Sequence, residues 1–390
     1  MTAVDRGVWR RRLSLAFILG WIGMVLTMHR PDEAQAQPKP ALAAPGALPG
    51  VPLGTDHAVG AGTVIDNLTV FPIYAKTPED LGDFTTLEAA VERKTAIVRE
   101  LGEAAAPVAN GRHGHRGGGG GDGAQVNTLV IENKGKTAIL VLAGTVVKGG
   151  KQDRQIGEDF IIPPGKTVNV DAFCVEHGRW DASREGKATG GTFVAQKSLA
   201  LGSVRAAGQH DKNQGEVWNQ VAQANAATKN EAPSGTLLAT MDDKQIADQR
   251  ARMATQLTSS MASAPQQDKL VGIAYAVDGR VKGVRWFAGP KLFKLHQDTL
   301  LQTAAMEAIA ANASRPNKGG SAAPAKAESV ASFVSDMEKQ AVAEKRTKSD
   351  NVNTYKKSAE GYSSEVTMDQ APAAGAPPKP RSVSKDYIKK

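Results

Sequence analysis

The strongest constraint on this chain is a run of β-branched and apolar segments joined by connections too short for a crossover. Residues 126–131 and 138–147 flank Asn133-Lys134-Gly135-Lys136, a hairpin signature. Residues 160–162 and 167–175 flank Pro163-Pro164-Gly165, which predicts a second hairpin. Parallel neighbours need a dozen or more linking residues, so the middle of the chain is expected to be antiparallel sheet.

Weaker strand signals precede that unit. Val64, Leu68, Val70 and Ile73 suggest strands broken at Pro72, and Thr85 or Thr86 caps a short helix bearing Leu87, Ala90 and Val91. Residues 96–101 read as a further strand ending in Arg99-Glu100. Beyond Trp180 the periodicity becomes helical. Segments 193–209, 214–228, a helix opened by Asp242-Asp243, and 291–312 read as helices. Between the last two, Asp278-Gly279 marks a hairpin turn joining 270–277 to 281–287. The expected class is α+β, with an antiparallel β-rich N-terminal half and helices packed against it in the C-terminal half.

The domain plan follows from composition. Arg10-Arg11-Arg12, an apolar run over 13–28 and Ala34-Gln35-Ala36 make residues 1–36 a signal peptide, cut after Ala36. An uncleaved membrane anchor is the alternative. Residues 37–60 are a Pro/Ala/Gly-rich linker, and 61–312 the globular body. Residues 313–327 form a second linker, 328–346 a helix, and 347–390 a disordered basic tail. The mature protein is therefore expected in the periplasm or outside the cell. Cys174 is the only cysteine, so no internal disulfide can form.

The formal net charge of +8 is concentrated at the ends. Residues 1–36 hold five basic and three acidic residues, and 371–390 hold five basic residues against Asp386. The body carries only a small excess, which argues against a nucleic-acid partner. The tail is free to touch an anionic envelope surface.

Common catalytic signatures are missing. Gly165-Lys166-Thr167 resembles the end of a phosphate loop, but Phe160 stands where that loop needs glycine. There is no Gly-x-Ser-x-Gly elbow, no His-Glu-x-x-His helix and no CxxC pair. His113 and His115 sit on a glycine tether without the rigid further ligands of a metal site, so neither a metal nor a cofactor is expected.

Two stretches do carry site chemistry. Gly149-Gly150-Lys151-Gln152-Asp153-Arg154 follows an apolar strand, where glycines let backbone amides approach a ligand and Lys151 and Arg154 add positive charge. A plain hairpin turn would use the same residues. In Cys174-Val175-Glu176-His177-Gly178-Arg179-Trp180, strand alternation puts Glu176 at the end of the row Val168, Val170, Ala172, Cys174. A carboxylate there needs a partner, Arg154 or Arg179. That pair either grips a ligand or locks two hairpins, with Trp180 as pocket wall or core anchor. Cys174 belongs to an apolar row that raises its pKa and makes it structural.

In order, Asn127, Leu129, Ile131 and Asn133, then Gly149, Lys151, Gln152 and Arg154, then Pro163-Pro164, Cys-Val-Glu-x-Gly-Arg-Trp and Val217-Trp218-x-x-Val221 resemble one family. It is the ADP-ribosylglycohydrolase and rhodanese-phosphatase-associated protein domain, and the resemblance spans about residues 62–312. The family brings no established activity, and its name implies only association with enzymes of ADP-ribose and phosphate chemistry. The functional expectation is thus an exported protein binding an anionic small ligand through Lys151, Gln152, Arg154, Glu176, Arg179 and Trp180. The alternatives are a hydrolase or transferase on a phosphorylated or ribosylated substrate, with Glu176 and His177 as acid and base, and an envelope scaffold.

Overall fold

Strand pairing in this protein joins segments that are far apart in the chain. The computed structural model describes residues 47–101, 127–181, 183–184, 186–189, 193–315, 322–348, 351–369 and 380–390. The signal segment 1–36 and the stretch bearing His113 and His115 lie outside those residues.

The first described strands are β1 (Val51–Leu53), β2 (His57–Val59), β3 (Thr63–Ile65) and β4 (Leu68–Ala75). The expected linker 37–60 is therefore corrected over its last part. Pro52 is tolerated because β1 is an edge strand that needs no second ladder. Strand β4 also runs through Pro72, which lies between its pairings with β2 and with β3. Next come β5 (Phe84–Thr86), α1 (Leu87–Glu92) and β6 (Ala96–Glu100). The Thr86 hydroxyl caps α1 by accepting from the Ala89 N–H, as its position before an amphipathic turn predicts.

The middle unit contains β7 (Thr128–Asn133), β8 (Ala138–Val141), β9 (Thr145–Gly149), β10 (Arg154–Ile156), β11 (Phe160–Ile162) and β12 (Thr167–Cys174). The short ribbon of β13 (Ser183–Arg184) with β14 (Lys187–Ala188) and then β15 (Phe193–Leu199) follow. Six strands form one sheet in the order β15-β9-β10-β12-β7-β6, and three form another in the order β11-β8-β5. Every pairing among the described residues is antiparallel except β5 with β8.

Both expected hairpins of this unit are corrected. Strand β7 pairs with β12 and β6, while β8 pairs with β11 and β5, so each turn is a corner between sheets. Asn133 pins both corners. Its amide nitrogen donates to the carbonyls of Thr137, Ile162 and Pro163, and its amide oxygen accepts from the Gly135 N–H. Leu129, Ile131, Ile139, Val141, Ile156, Phe160 and Val170 fill the space between the sheets.

The helices are α2 (Gly202–Gln209), α3 (Gln214–Thr228), α4 (Leu238–Met241) and α5 (Lys244–Ala262). The first part of the expected helix 193–209 is instead β15, whose alternating burial pairs it to β9. Then β16 (Leu270–Val277) and β17 (Arg280–Phe287) form the expected hairpin, and α6 (Pro290–Ala313) follows.

The C-terminal expectations change most. Helix α7 (Ala327–Glu338) is shorter than 328–346, because β18 (Val342–Lys348) takes its end. The segment read as a disordered tail supplies β19 (Asn351–Lys357), β20 (Gly361–Asp369) and β21 (Pro380–Lys389). These join the largest sheet, β1-β2-β4-β16-β17-β21-β20-β19-β18, with β3 alongside β4. Three of the tail's described charges are paired, Arg381 with Glu79, Lys385 with Glu338 and Lys389 with Glu360. The class is mixed α+β, but strands return after the helices instead of staying in the first half.

One face of the large sheet packs Leu68, Val70, Ile273 and Phe287 against α5 and α6. The other packs Phe71, Val271 and Trp286 against Val330, Phe333, Val334 and Met337 of α7. Each such side chain, fully buried, contributes about 1.5–3 kcal/mol. A buried charge chain fastens the large sheet to the middle unit. Arg285 of β17 holds Asp159 at 2.8 Å and Asp386 of β21 at 2.9 Å, and Arg205 of α2 holds Asp386 at 3.0 Å. No described helix is long and apolar enough to cross a membrane.

Candidate functional site

Register brings the two site motifs together. Arg154 opens β10 directly opposite Cys174 of β12, with Val147 of β9 on its other side. Cross-strand partners share a face, so the Arg154 side chain lies over Cys174 and points toward the row that continues to Glu176. Its Nη1 donates to Gln152 Oε1 at 3.1 Å and contacts the Cys174 sulfur, and its Nη2 lies 3.5 Å from Glu100 Oε1 at the end of β6. Gln152 in turn donates to the Glu176 carbonyl at 2.9 Å.

Glu176 is buried and pairs with Arg179, not Arg154. Arg179 Nε lies 3.0 Å from both carboxylate oxygens and its Nη2 lies 2.7 Å from Oε2. The remaining N–H groups of Arg179 go to the carbonyls of Gly150 (2.8 Å), Asp181 (2.7 Å) and Gly149 (3.4 Å). A guanidinium has five N–H donors, and all five are engaged. Gly150 can turn its carbonyl inward because it adopts φ +48°, and a Cβ there would fall 2.4 Å from the Phe193 ring.

Asp153, with no exposed surface, is the second buried carboxylate. It accepts from the Gly149 N–H (3.1 Å), the Thr236 hydroxyl (2.7 Å) and Arg184 Nη2 (2.6 Å), while its own N–H donates to Glu176 Oε2 (3.0 Å). Arg184 also reaches Glu176 at 3.3 Å. Burial by itself would raise the Glu176 pKa. Hydrogen bonds from Arg179, the Asp153 N–H and Ser234, with the Arg179 charge, outweigh it and hold the carboxyl below its usual range. Burial pushes the Cys174 thiol up despite the neighbouring Arg154.

Trp180 is the exposed part of this assembly. Half of it, 51%, faces solvent, with Arg154 5.7 Å and Lys151 6.0 Å from its ring centroid. The Lys151 N–H donates to Glu100 at 2.9 Å, and its ammonium lies 3.8 Å from the same carboxylate, about one third exposed.

All six expected residues therefore meet, four of them inside a buried network and Lys151 and Trp180 at its rim. His177 does not join them, because it faces outward and packs edge-on against Trp218 at 4.5 Å. Sequence reasoning missed Glu100, Asp153, Arg184 and Thr236. Asp153 lay within the glycine motif and reads there as an ordinary turn residue, whereas Arg184 and Thr236 have no local signal. Among the described residues no group of His, Cys, Asp and Glu is arranged to hold a metal ion.

An α+β body carrying a buried Arg–carboxylate network beneath an exposed indole is the class of protein that fold and site define. The family model of the ARG and Rhodanese-Phosphatase-superfamily-associated Protein domain matches residues 56–373, and the chain belongs to that family. Comparison with curated proteins and with solved structures finds no match in either.

Proposed function

We propose that this is an exported binding protein that captures an anionic small ligand at the rim formed by Trp180 and Lys151. The carrying observation is the half-exposed indole, with two cations near its ring, seated on an otherwise buried network. Among the described residues the network sets Lys151, Arg154, Arg179 and Arg184 against Glu100, Asp153 and Glu176. The Asp181 carboxylate, at the rim, turns to the N–H and hydroxyl of Ser183. A bound anion meets the Lys151 ammonium, the cation of the four with the most exposed side chain.

Arg154, Gln152, Glu176 and Arg179 act in this reading as the frame. Most of their donors and acceptors are spent on one another and on neighbouring carbonyls, so their part is to fix Trp180 and Lys151 in place. The same geometry weighs against Glu176 as an acid–base catalyst, since it is 1% exposed and held as a carboxylate by two guanidiniums.

A thermal-shift and fluorescence titration with pyrophosphate, ADP-ribose, glucose 6-phosphate and citrate tests the proposal. At least one anion should raise the melting temperature of the wild type. Trp180→Ala and Lys151→Gln should lose that response while melting like the wild type without ligand. An equal response in all three proteins, or none in the wild type, overturns the reading.

A further inference from the structure

A groove of about 700 Å³ lies away from Trp180, between α7, the β1–β2 turn and the face of β17 and β21 in the large sheet. Its volume is in the range of small-molecule sites, about 300–1,000 Å³. Three rings stand in file along it. The centroids of His57 and Trp286 are 4.9 Å apart, and those of Trp286 and Tyr387 are 5.0 Å apart. Ala75, the cross-strand partner of His57, also lines the groove, and its small side chain leaves room for the rings to meet.

The two walls differ in charge. On the α7 side Glu338 takes the Tyr387 hydroxyl, Lys385 at 3.2 Å and Lys356 at 2.9 Å, so its charge is spent. Across from it, Asp56 accepts only the neighbouring Thr55 hydroxyl and has no ion pair among the described residues. Neither the His57 ring nitrogens nor the Trp286 N–H makes a hydrogen bond among the described residues. Burial lowers the His57 pKa to about 4, so the ring is neutral near pH 7 and offers an acceptor.

We propose that this groove is a binding site for a small amine on a flat apolar body. The ammonium sits between the Asp56 carboxylate and the His57 acceptor, and the body lies along the edges of His57 and Trp286. An anion of the same shape meets an unpaired carboxylate and is refused. Nothing in this site depends on Trp180 or Lys151.

Phenethylamine and phenylacetate share a body and differ in charge, which makes them the probes. Calorimetric titration of the full chain should give saturable binding of phenethylamine and much weaker binding of phenylacetate. Asp56→Asn, at an exposed turn, should weaken the amine about fivefold, as loss of an exposed ion pair does. His57→Gln is the second variant and should also weaken it, while Trp180→Ala should leave it unchanged. No saturable binding of phenethylamine overturns the proposal, as does equal affinity for both probes. Amine binding that survives both groove variants overturns it as well.

Discussion

Arg179 grips Glu176 with Nε and Nη2, the closest contact being 2.7 Å, while its other donors reach the carbonyls of Gly149, Gly150 and Asp181. One side chain thereby ties the turn after β9 to the segment after β12. Removing it takes donors away from three carbonyls and a buried carboxylate. Arg179→Ala should destabilise the protein by about 3–5 kcal/mol, the range for breaking a buried pair from one side. Urea unfolding followed by far-UV dichroism measures it. A loss below 1 kcal/mol would show the pair to be dispensable.

That outcome was half legible in the sequence. Glu176 at the end of an apolar row demanded a guanidinium, and Arg179, three residues on, supplied it. The same reading missed Asp153 because a carboxylate in a glycine turn usually faces water. It missed Glu100 and Arg184 because pairing between segments distant in the chain leaves no trace in local spacing. Turn chemistry also misled at Asn133 and Pro163, where strong turn signals mark corners between sheets. The final strand was hidden by its charge. Lys385 and Tyr387 alternate with Ser384 and Asp386, so neither row reads as apolar, a bulge near Val383 breaks the period, and the Pro-rich, lysine-bearing context suggested a solvated tail.

Cys174 offers a clean probe of the network. It is the only cysteine, fully buried, and burial raises its pKa while Arg154 lies against it. The native protein should react slowly with a thiol reagent such as dithionitrobenzoate and release one equivalent on unfolding. Arg154→Ala should speed the native reaction by loosening the β10–β12 register. Rapid labelling of the folded wild type would contradict the buried placement.

His296 sets an expected pH dependence. Burial first, then the Arg285 charge, lowers its pKa from 6.5 to about 3 in the fold. Between those values the unfolded chain binds a proton that the folded chain refuses. Its contribution is therefore whole above pH 6.5 and declines as the pH falls toward 3. From pH 6.5 down to about 5 the decline should reach about 2 kcal/mol. His296→Phe should make that limb shallower, leaving the shares of His57 and His210, because Nε2 has no partner and a phenyl ring keeps the stack on Phe287. An identical pH profile for both proteins would dismiss His296 as its source.

The C-terminal strand should be indispensable. Residues 380–389 lie between β17 and β20, with ladders on both sides, and bury Val383, Tyr387 and Ile388. They also carry Asp386, the carboxylate that Arg205 and Arg285 share. Deleting 380–390 exposes two strand edges and two buried guanidiniums at once. The loss should exceed the 5–15 kcal/mol typical of a domain's whole stability, leaving no cooperative transition. Asp386→Asn separates charge from strand, because it keeps the ladder and removes only the counter-ion. It should cost about 3–5 kcal/mol and still unfold cooperatively. A truncated chain that melts at the wild-type temperature would mean that β21 adds nothing to the sheet.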